Sequence, residues 1–393
     1  MENPIYSPAG FQVAALHCGL KAEEQNDLVV LYSETPCQAA AAFTTNKVKA
    51  APVLYDQEIV GSGKGVRAVV VNAGNANACT GGEGMQHTRQ MAEVASHLFA
   101  GDADEVLVLS TGVIGVPLPI DLVLNGIEET AGQLSPHAWS EAAKAIMTTD
   151  TRPKIASLIS PTGYTITGIA KGSGMISPNM ATMLSVICTD AMLSTDMLDR
   201  VSEIWNQTFN RIVVDGDMST NDTVLLLANN ASGVEVDADS IFFEDLLQIC
   251  TQLAIEIVRD GEGATKLVTV QVNGANSQAD AEKIARAIAT SPLCKTAFYG
   301  ADPNWGRIIC AAGYANADFL PEKASLDLIK DDQELKLFEN GESAAYNETE
   351  AIALMQTESW EISLDLGLGR DNYWLWTCDL SHDYVTINGH YRT

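Results

Sequence analysis

"AKGSGMISPNMATMLSVICTD", residues 170–190, sets Gly172, Gly174, Pro178 and Asn179 ahead of Ala181-Thr182 and then runs into Thr, Val and Ile. Read locally, this is a turn-rich segment that ends at one hydroxyl residue, with a strand beginning there. A hydroxyl nucleophile needs a base. An N-terminal Thr carries one, because an α-amine with a pKa of about 7.7–8.0 can take the hydroxyl proton. An internal Thr has only an amide nitrogen, so the chain would have to be cut just before Thr182. Gly172, Gly174 and Pro178 permit unusual backbone geometry, and Ala181 adds little bulk around a scissile carbonyl. Patterning alone favours an ordinary turn leading into a strand.

Outward from this segment, short β-rich runs alternate with helical patterns. "VRAVVVNAGNA" (66–76), "DEVLVLSTGVIG" (104–115), "TVLLLANN" (223–230) and "KLVTVQVNGA" (266–275) read as strands. "TRQMAEVASHLFA" (88–100) and "DAEKIARAIATS" (280–291) have apolar residues at helical spacing. The alternation predicts layered α/β structure, and 393 residues suffice for two domains or one large body. There is no fixed-period repeat and no long linker. The only natural seam is the Gly/Pro/Asn cluster before Thr182, and the acidic stretch from Asp331 to Glu350 reads as a surface excursion.

The 46% hydrophobic content supplies a core, and 23 basic against 51 acidic residues give a net charge of −28. That field repels nucleic acid and anionic membrane, so neither is expected as a partner. Eight scattered cysteines form no C-x-x-C pair and find no His at zinc spacing, so no metal is expected. Most sit in apolar runs and read as buried free thiols. The opening "MENPIYSPAGFQVAAL" lacks a basic n-region, and no apolar run approaches membrane-spanning length; a reducing cytoplasm is the expectation.

One Gly-rich stretch is a decoy. "GSGKG" (61–65) has Glu58 where a phosphate loop needs Gly and Gly65 where it needs Ser or Thr; it reads as a turn between strands. No G-x-G-x-x-G follows a strand, so no dinucleotide and no other cofactor is expected. The six His residues fit neither H-E-x-x-H nor a G-x-S-x-G system.

"GIAKGSGMISPNMATML" (168–184) resembles the self-cleavage segment of the ornithine acetyltransferases, the glutamate N-acetyltransferases of arginine biosynthesis. "FTTNKVKAAPV", "VVVNAGNANACTG", "LSTGVIG", "AIMTTDTRPK", "FNRIVVDGDMSTNDT", "DGEGATKL", "ADPNWGR" and the terminal "DYVTINGHYRT" match in the family's order. The resemblance spans nearly the whole chain and is poorest over 317–360. It implies a layered α-β-β-α body of the ornithine acetyltransferase and aminopeptidase-like fold. It also implies cleavage between Ala181 and Thr182 into intertwined fragments 1–181 and 182–393, assembled as a heterotetramer of two pairs.

The resemblance further implies Thr182 as the nucleophile that becomes acetylated, and Thr111 and Gly112 as oxyanion donors. Substrate contacts fall on Thr148, Lys171, Thr182, Glu262, Asn388 and Thr393. The chemistry agrees, since Lys171 can meet an α-carboxylate and Glu262 an ornithine ammonium. The implied reaction passes acetyl from N-acetylornithine to glutamate, with acetyl-CoA as a further donor in some members. Two alternatives remain: a self-processing Thr amidase or aminopeptidase that passes the acyl group to water, and a non-catalytic binding protein, against which the intact Ala181-Thr182 pair argues.

Overall fold

The computed structural model describes residues 4–22, 24–177, 183–237 and 240–390. Ala181 and Thr182, the expected cleavage pair, and Thr393 lie outside the described residues, as do Pro178 and Asn179. In chain order the first strands are β1 (Phe11–Leu16), β2 (Leu28–Phe43), β3 (Val66–Asn75), β4 (Val106–Val113), β5 (Lys154–Ile159) and β6 (Thr165–Lys171). They are followed by β7 (Leu184–Thr189), the two-residue β8 (Met192–Leu193) and β9 (Ile212–Val213), then β10 (Thr223–Ala228) and β11 (Glu235–Val236).

Strand β2 serves two sheets. Its first part pairs with β1 and β3, and its second part, from Gln38 to Phe43, pairs antiparallel with β10. The resulting order is β4-β3-β2-β10-β7-β6-β5. Side chains alternate in register with the pleat. Leu184, Val186, Cys188, Leu225 and Leu227 join a core shared with β1–β4, while Ile187, Val224 and Leu226 enter a second core. Helices α1 (Ala51–Ser62) and α2 (Gly81–Ala95) pack on β4. Further along the chain come α3 (Ile120–Thr130), α4 (Trp139–Ala145) and α5 (Thr195–Gln207), and the second core lies under α5 and α6 (Phe242–Arg259). The layering is helix, sheet, sheet, helix, as expected.

The strands from either side of position 181/182 interleave, since β10 and β7 lie between β2 and β6. A second mixed sheet takes up the C-terminal part: β12 (Leu267–Ala275), β13 (Ser325–Lys330), β14 (Gln333–Glu339), β15 (Glu342–Ser343), β16 (Ser359–Asp365) and β17 (Asp371–Cys378). Its order is β15-β14-β13-β16-β12-β17-β9. Helix α7 (Gln278–Thr290) packs on β12 and β17; α8 (Pro292–Tyr299), α9 (Trp305–Gly313), α10 (Glu348–Met355) and α11 (His382–His390) complete the chain.

Two local expectations need correction. "GSGKG" is not a turn between strands: α1 runs through Ser62, Gly63 ends it in a left-handed conformation, and β3 starts at Val66. The cysteines are not uniformly buried, because Cys79 and Cys310 are exposed and Cys18 is half-buried. "IICAAG" is helical, and the 3.6-residue period that buries Ile308, Ala311 and Ala312 turns Cys310 outward. The stretch 331–350 lies at the surface, as expected, and there forms the β14–β15 edge hairpin, anchored by buried Leu337 and Phe338.

Candidate active site

One cavity is lined by Thr111, Gly112, Ile114, Thr148, Thr149, Lys171, Gly174, Met175, Ser219, Thr220, Asn221, Glu262 and Asn388. Every expected site residue within the described residues is therefore at one place, although the chain separates the first from the last by 277 positions (388 − 111). Thr182 and Thr393 lie outside the described residues.

Thr111 and Gly112 sit at the end of β4, where the pairing with β3 becomes irregular at Gly74 and Asn75. Gly112 adopts φ 132°, and a Cβ there would lie 2.3 Å from the Gly74 carbonyl carbon. Only glycine permits this close approach of two backbones. Lys171 closes β6 and is buried; its Nζ donates to Thr111 Oγ1 at 3.2 Å. With its oxygen engaged as an acceptor, the Thr111 hydroxyl keeps its own proton free to donate into the cavity. Burial pulls the Lys171 pKa down, with Asp150, Asp222 and Glu262 pulling it back up.

Beneath these residues lies a charged cluster that sequence reasoning missed. Lys154, on β5, places Nζ 2.6 Å from Asp150 Oδ1 and 2.6 Å from Asp260 Oδ2, with all three side chains buried. Asp150 also accepts the Gly172 N–H at 2.7 Å and the Thr148 N–H at 3.0 Å. Asp260 accepts the Thr151 N–H at 3.0 Å, and its carbonyl accepts the Ser173 hydroxyl at 2.5 Å. Burial works to raise the Asp150 pKa, but Lys171, Lys154 and the Gly172 N–H bring it down to about 2. The cluster thus fixes the chain just after Lys171, at Gly172 and Ser173, and the backbone at Thr148.

Glu262, expected as a substrate contact, is 8% exposed. Its N–H donates to the Ser173 carbonyl at 2.9 Å, and its Oε2 accepts from Asn388 Nδ2 at 2.6 Å. Gly174 makes room for the carboxylate: a Cβ there would stand 2.4 Å from Glu262 Cδ. Asn388 is carried by α11, so the expected tail is a helix, held at Tyr384, whose hydroxyl donates to Asp215 at 3.3 Å. Asp215 also accepts the N–H groups of Met175 (2.6 Å) and Ile176 (2.9 Å), pinning the segment that leads toward the expected cleavage pair.

Asp150, Lys154, Asp215, Asn221, Asp222 and Asp260 all lie inside the motifs "AIMTTDTRPK", "FNRIVVDGDMSTNDT" and "DGEGATKL". That clustering was the available signal. Their burial was not readable, because a carboxylate in a polar loop is more commonly solvated.

A family model described as the ArgJ family matches residues 12–393. The chain is 46% identical over 399 residues to the arginine biosynthesis bifunctional protein ArgJ of Thermotoga neapolitana, with 99% of this chain and 100% of that one covered. It is 47% identical over 405 residues to the mitochondrial arginine biosynthesis bifunctional protein ArgJ of Yarrowia lipolytica, covering 98% and 94%. Among solved structures, the ornithine acetyltransferase of Mycobacterium tuberculosis complexed with ornithine is 42% identical, covers 44% of this chain and 92% of its own, and has a TM-score of 0.42.

Proposed function

The chain belongs to the ArgJ family, and on that premise we infer that it is a glutamate N-acetyltransferase of arginine biosynthesis, moving acetyl from N2-acetylornithine to glutamate. The observation that carries this reading at the site is the convergence of Thr111, Gly112, Thr148, Lys171, Glu262 and Asn388 on one cavity. The chain is cut between Ala181 and Thr182, giving fragments 1–181 and 182–393. Thr182 Oγ then attacks the acetyl carbonyl, and its proton passes to its own α-amine. The Thr111 hydroxyl and the Gly112 N–H receive the developing oxyanion, and the positive charge of Lys171 on Thr111 strengthens that donation.

Ornithine leaves with the proton from the ammonium, and glutamate attacks the acetyl-Thr182 ester. Lys171 meets the substrate α-carboxylate, Glu262 the ornithine ammonium, and Thr148, Asn388 and Thr393 close the pocket. Exclusion of water is what separates transferase from hydrolase, since water at about 55 M competes unless the glutamate amine is oriented. Family membership favours the transferase over the Thr amidase, and relatives that carry a biosynthetic name do not support a mere binding protein.

A second donor, acetyl-CoA, belongs to the same proposal. A hollow of about 1140 Å³ adjoins the cavity through Thr148, between the Leu20–Asn26 loop and Lys144, and is far larger than an amino acid requires. The fragments assemble as a heterotetramer of two pairs, in the cytoplasm. Among the described residues no helix is long and apolar enough to cross a membrane.

The test is intact mass together with single-turnover kinetics. Two fragments with Thr at the second N-terminus, an added acetyl group on the second fragment after brief exposure to acetylornithine, and parallel-line kinetics with glutamate are expected. Thr182→Ala stays uncut and inactive. An uncut wild type with full activity, or free acetate as the main product at saturating glutamate, overturns the reading.

A further inference from the structure

The proposed reaction takes two amino acids in turn, with like α-groups and side chains of opposite charge. Glu262 suits the ornithine ammonium and for the same reason repels the side-chain carboxylate of glutamate. With the α-groups held alike, that carboxylate needs a cation elsewhere. Lys171 is assigned to the α-carboxylate, Lys154 is taken by Asp150 and Asp260, and Arg152 pairs with Glu256 at 3.1 Å. Two cations line the adjoining hollow, Lys21 and Lys144, and of these Lys144 is exposed. Glu24 and Glu141 also line it, but both are exposed, where water and salt screen their charge.

Lys21 is half-buried, and its backbone is pinned. The buried Asp27 carboxylate accepts the N–H groups of Cys18 (2.7 Å), Leu20 (2.8 Å) and Lys21 (3.0 Å). The Leu20 carbonyl lies against Gly74, where a Cβ would stand 3.1 Å from its oxygen, and Gly74 lies in turn against Gly112. Lys21 Nζ donates to the carbonyls of Asn26 at 2.9 Å and Ala145 at 2.8 Å. An ammonium has three protons, so one is left over, and no carboxylate pairs with it among the described residues. Ala145 stands just ahead of Thr148, the residue that the hollow shares with the candidate active site. Burial lowers the Lys21 pKa, Asp27 and Asp150 raise it, and Lys171 lowers it, so Lys21 is within electrostatic reach of the α-carboxylate site. An ammonium drawn half out of water with only neutral partners calls for an anion.

We propose that Lys21 is the specificity-determining residue for the acceptor: its third proton meets the side-chain carboxylate of glutamate, in the hollow and away from Glu262. This rests on the transferase reading above. The two side chains thus take different subsites around one shared place for the α-groups. In a double displacement ornithine leaves before glutamate enters, so each side chain meets only its own counter-charge.

Lys21→Gln tests this, since an amide still donates to both carbonyls but carries no charge. First-turnover ornithine release without glutamate reads the donor half; kcat and KM for glutamate and for glutamine read the acceptor half. The glutamate KM should rise about tenfold or more, with glutamine acceptance unchanged and ornithine release within about twofold of wild type. An unmoved glutamate KM overturns the proposal. So does an equal loss with glutamate and glutamine, which would mark a brace for the loop, or an effect confined to acetyl-CoA, which would assign Lys21 to the donor's phosphates. If the Gln variant does not fold, Lys21→Arg decides. Its longer, still charged head should raise the preference for aspartate over glutamate about tenfold or more, and an unchanged preference overturns the role. A wild type that releases no ornithine from acetylornithine removes the transferase reading itself, and Lys21's role with it. Wild-type donor chemistry with an unmoved glutamate KM in the variant removes only this proposal.

Discussion

Replacing Gly174 by Ala would set a methyl carbon 2.4 Å from both the Glu262 carboxyl carbon and its Oε2. The side chain that must yield is the one proposed to meet the ornithine ammonium. Gly174→Ala should therefore lower kcat/KM for acetylornithine by about 10- to 150-fold, the equivalent of a lost charged hydrogen bond of about 1.5–3 kcal/mol, mostly through KM. Steady-state kinetics on the cut variant check this, and unchanged kinetics would show that Glu262 does not bind substrate. Asp150 carries a stability prediction. Its folded pKa of about 2 lies below the ordinary carboxylate value of about 3.9, so its contribution is fully present above about pH 4–5 and is lost as pH falls through about 2. The contribution is on the order of 2 kcal/mol, about half of it gone at pH 3. Urea unfolding of wild type and Asp150→Asn should show the gap between them closing below pH 4; a constant gap would contradict it.

At the scale of elements, the site is made by ends. β4 supplies the proposed oxyanion donors Thr111 and Gly112, β6 supplies Lys171, the turn after α6 supplies Glu262, and α11 supplies Asn388. Helix α11 is the least embedded of these, since none of its described residues is buried. Its links to the body include Tyr384 to Asp215, Asn388 to Glu262 and His382 against the Tyr299 ring. Deleting residues 388–393 should leave folding and cutting intact, shift the melting temperature by no more than about 2 °C, and lower kcat/KM by about tenfold or more. Thermal melts and kinetics on one preparation separate the two effects. A large drop in melting temperature would show that the tail is structural rather than part of the pocket.

For the whole molecule, the strand order β2-β10-β7-β6 means that a cut at 181/182 leaves each fragment hydrogen-bonded to the other in the middle of one sheet. Neither half could bury its apolar faces alone, because the cores draw on both: Val30 and Leu227 share one, Ile166 and Leu226 the other. The fragments should thus run as two bands on a denaturing gel yet co-elute on size exclusion, and urea should unfold them in one transition. Separation of the fragments under native conditions would contradict the interleaving.

The sequence by itself determined the strand and helix alternation, through periodicities of two and 3.6, and the family, through long motifs in fixed order. It also pointed to Thr111, Gly112, Thr148, Lys171, Glu262 and Asn388, because motif chemistry is written locally. Its misses have one cause. Whether a carboxylate in a loop is solvated or buried depends on what the rest of the chain lays over it, so the burial of Asp150, Asp222 and Asp260 was not legible in their motifs. Cys310 looked buried for the same reason, since a run of apolar letters does not say which side of a helix faces the core. Only the tertiary structure decided that Lys154 joins two carboxylates under the pocket. Pairing across long sequence separations arises from burial and sheet register, and neither is a property of any single segment.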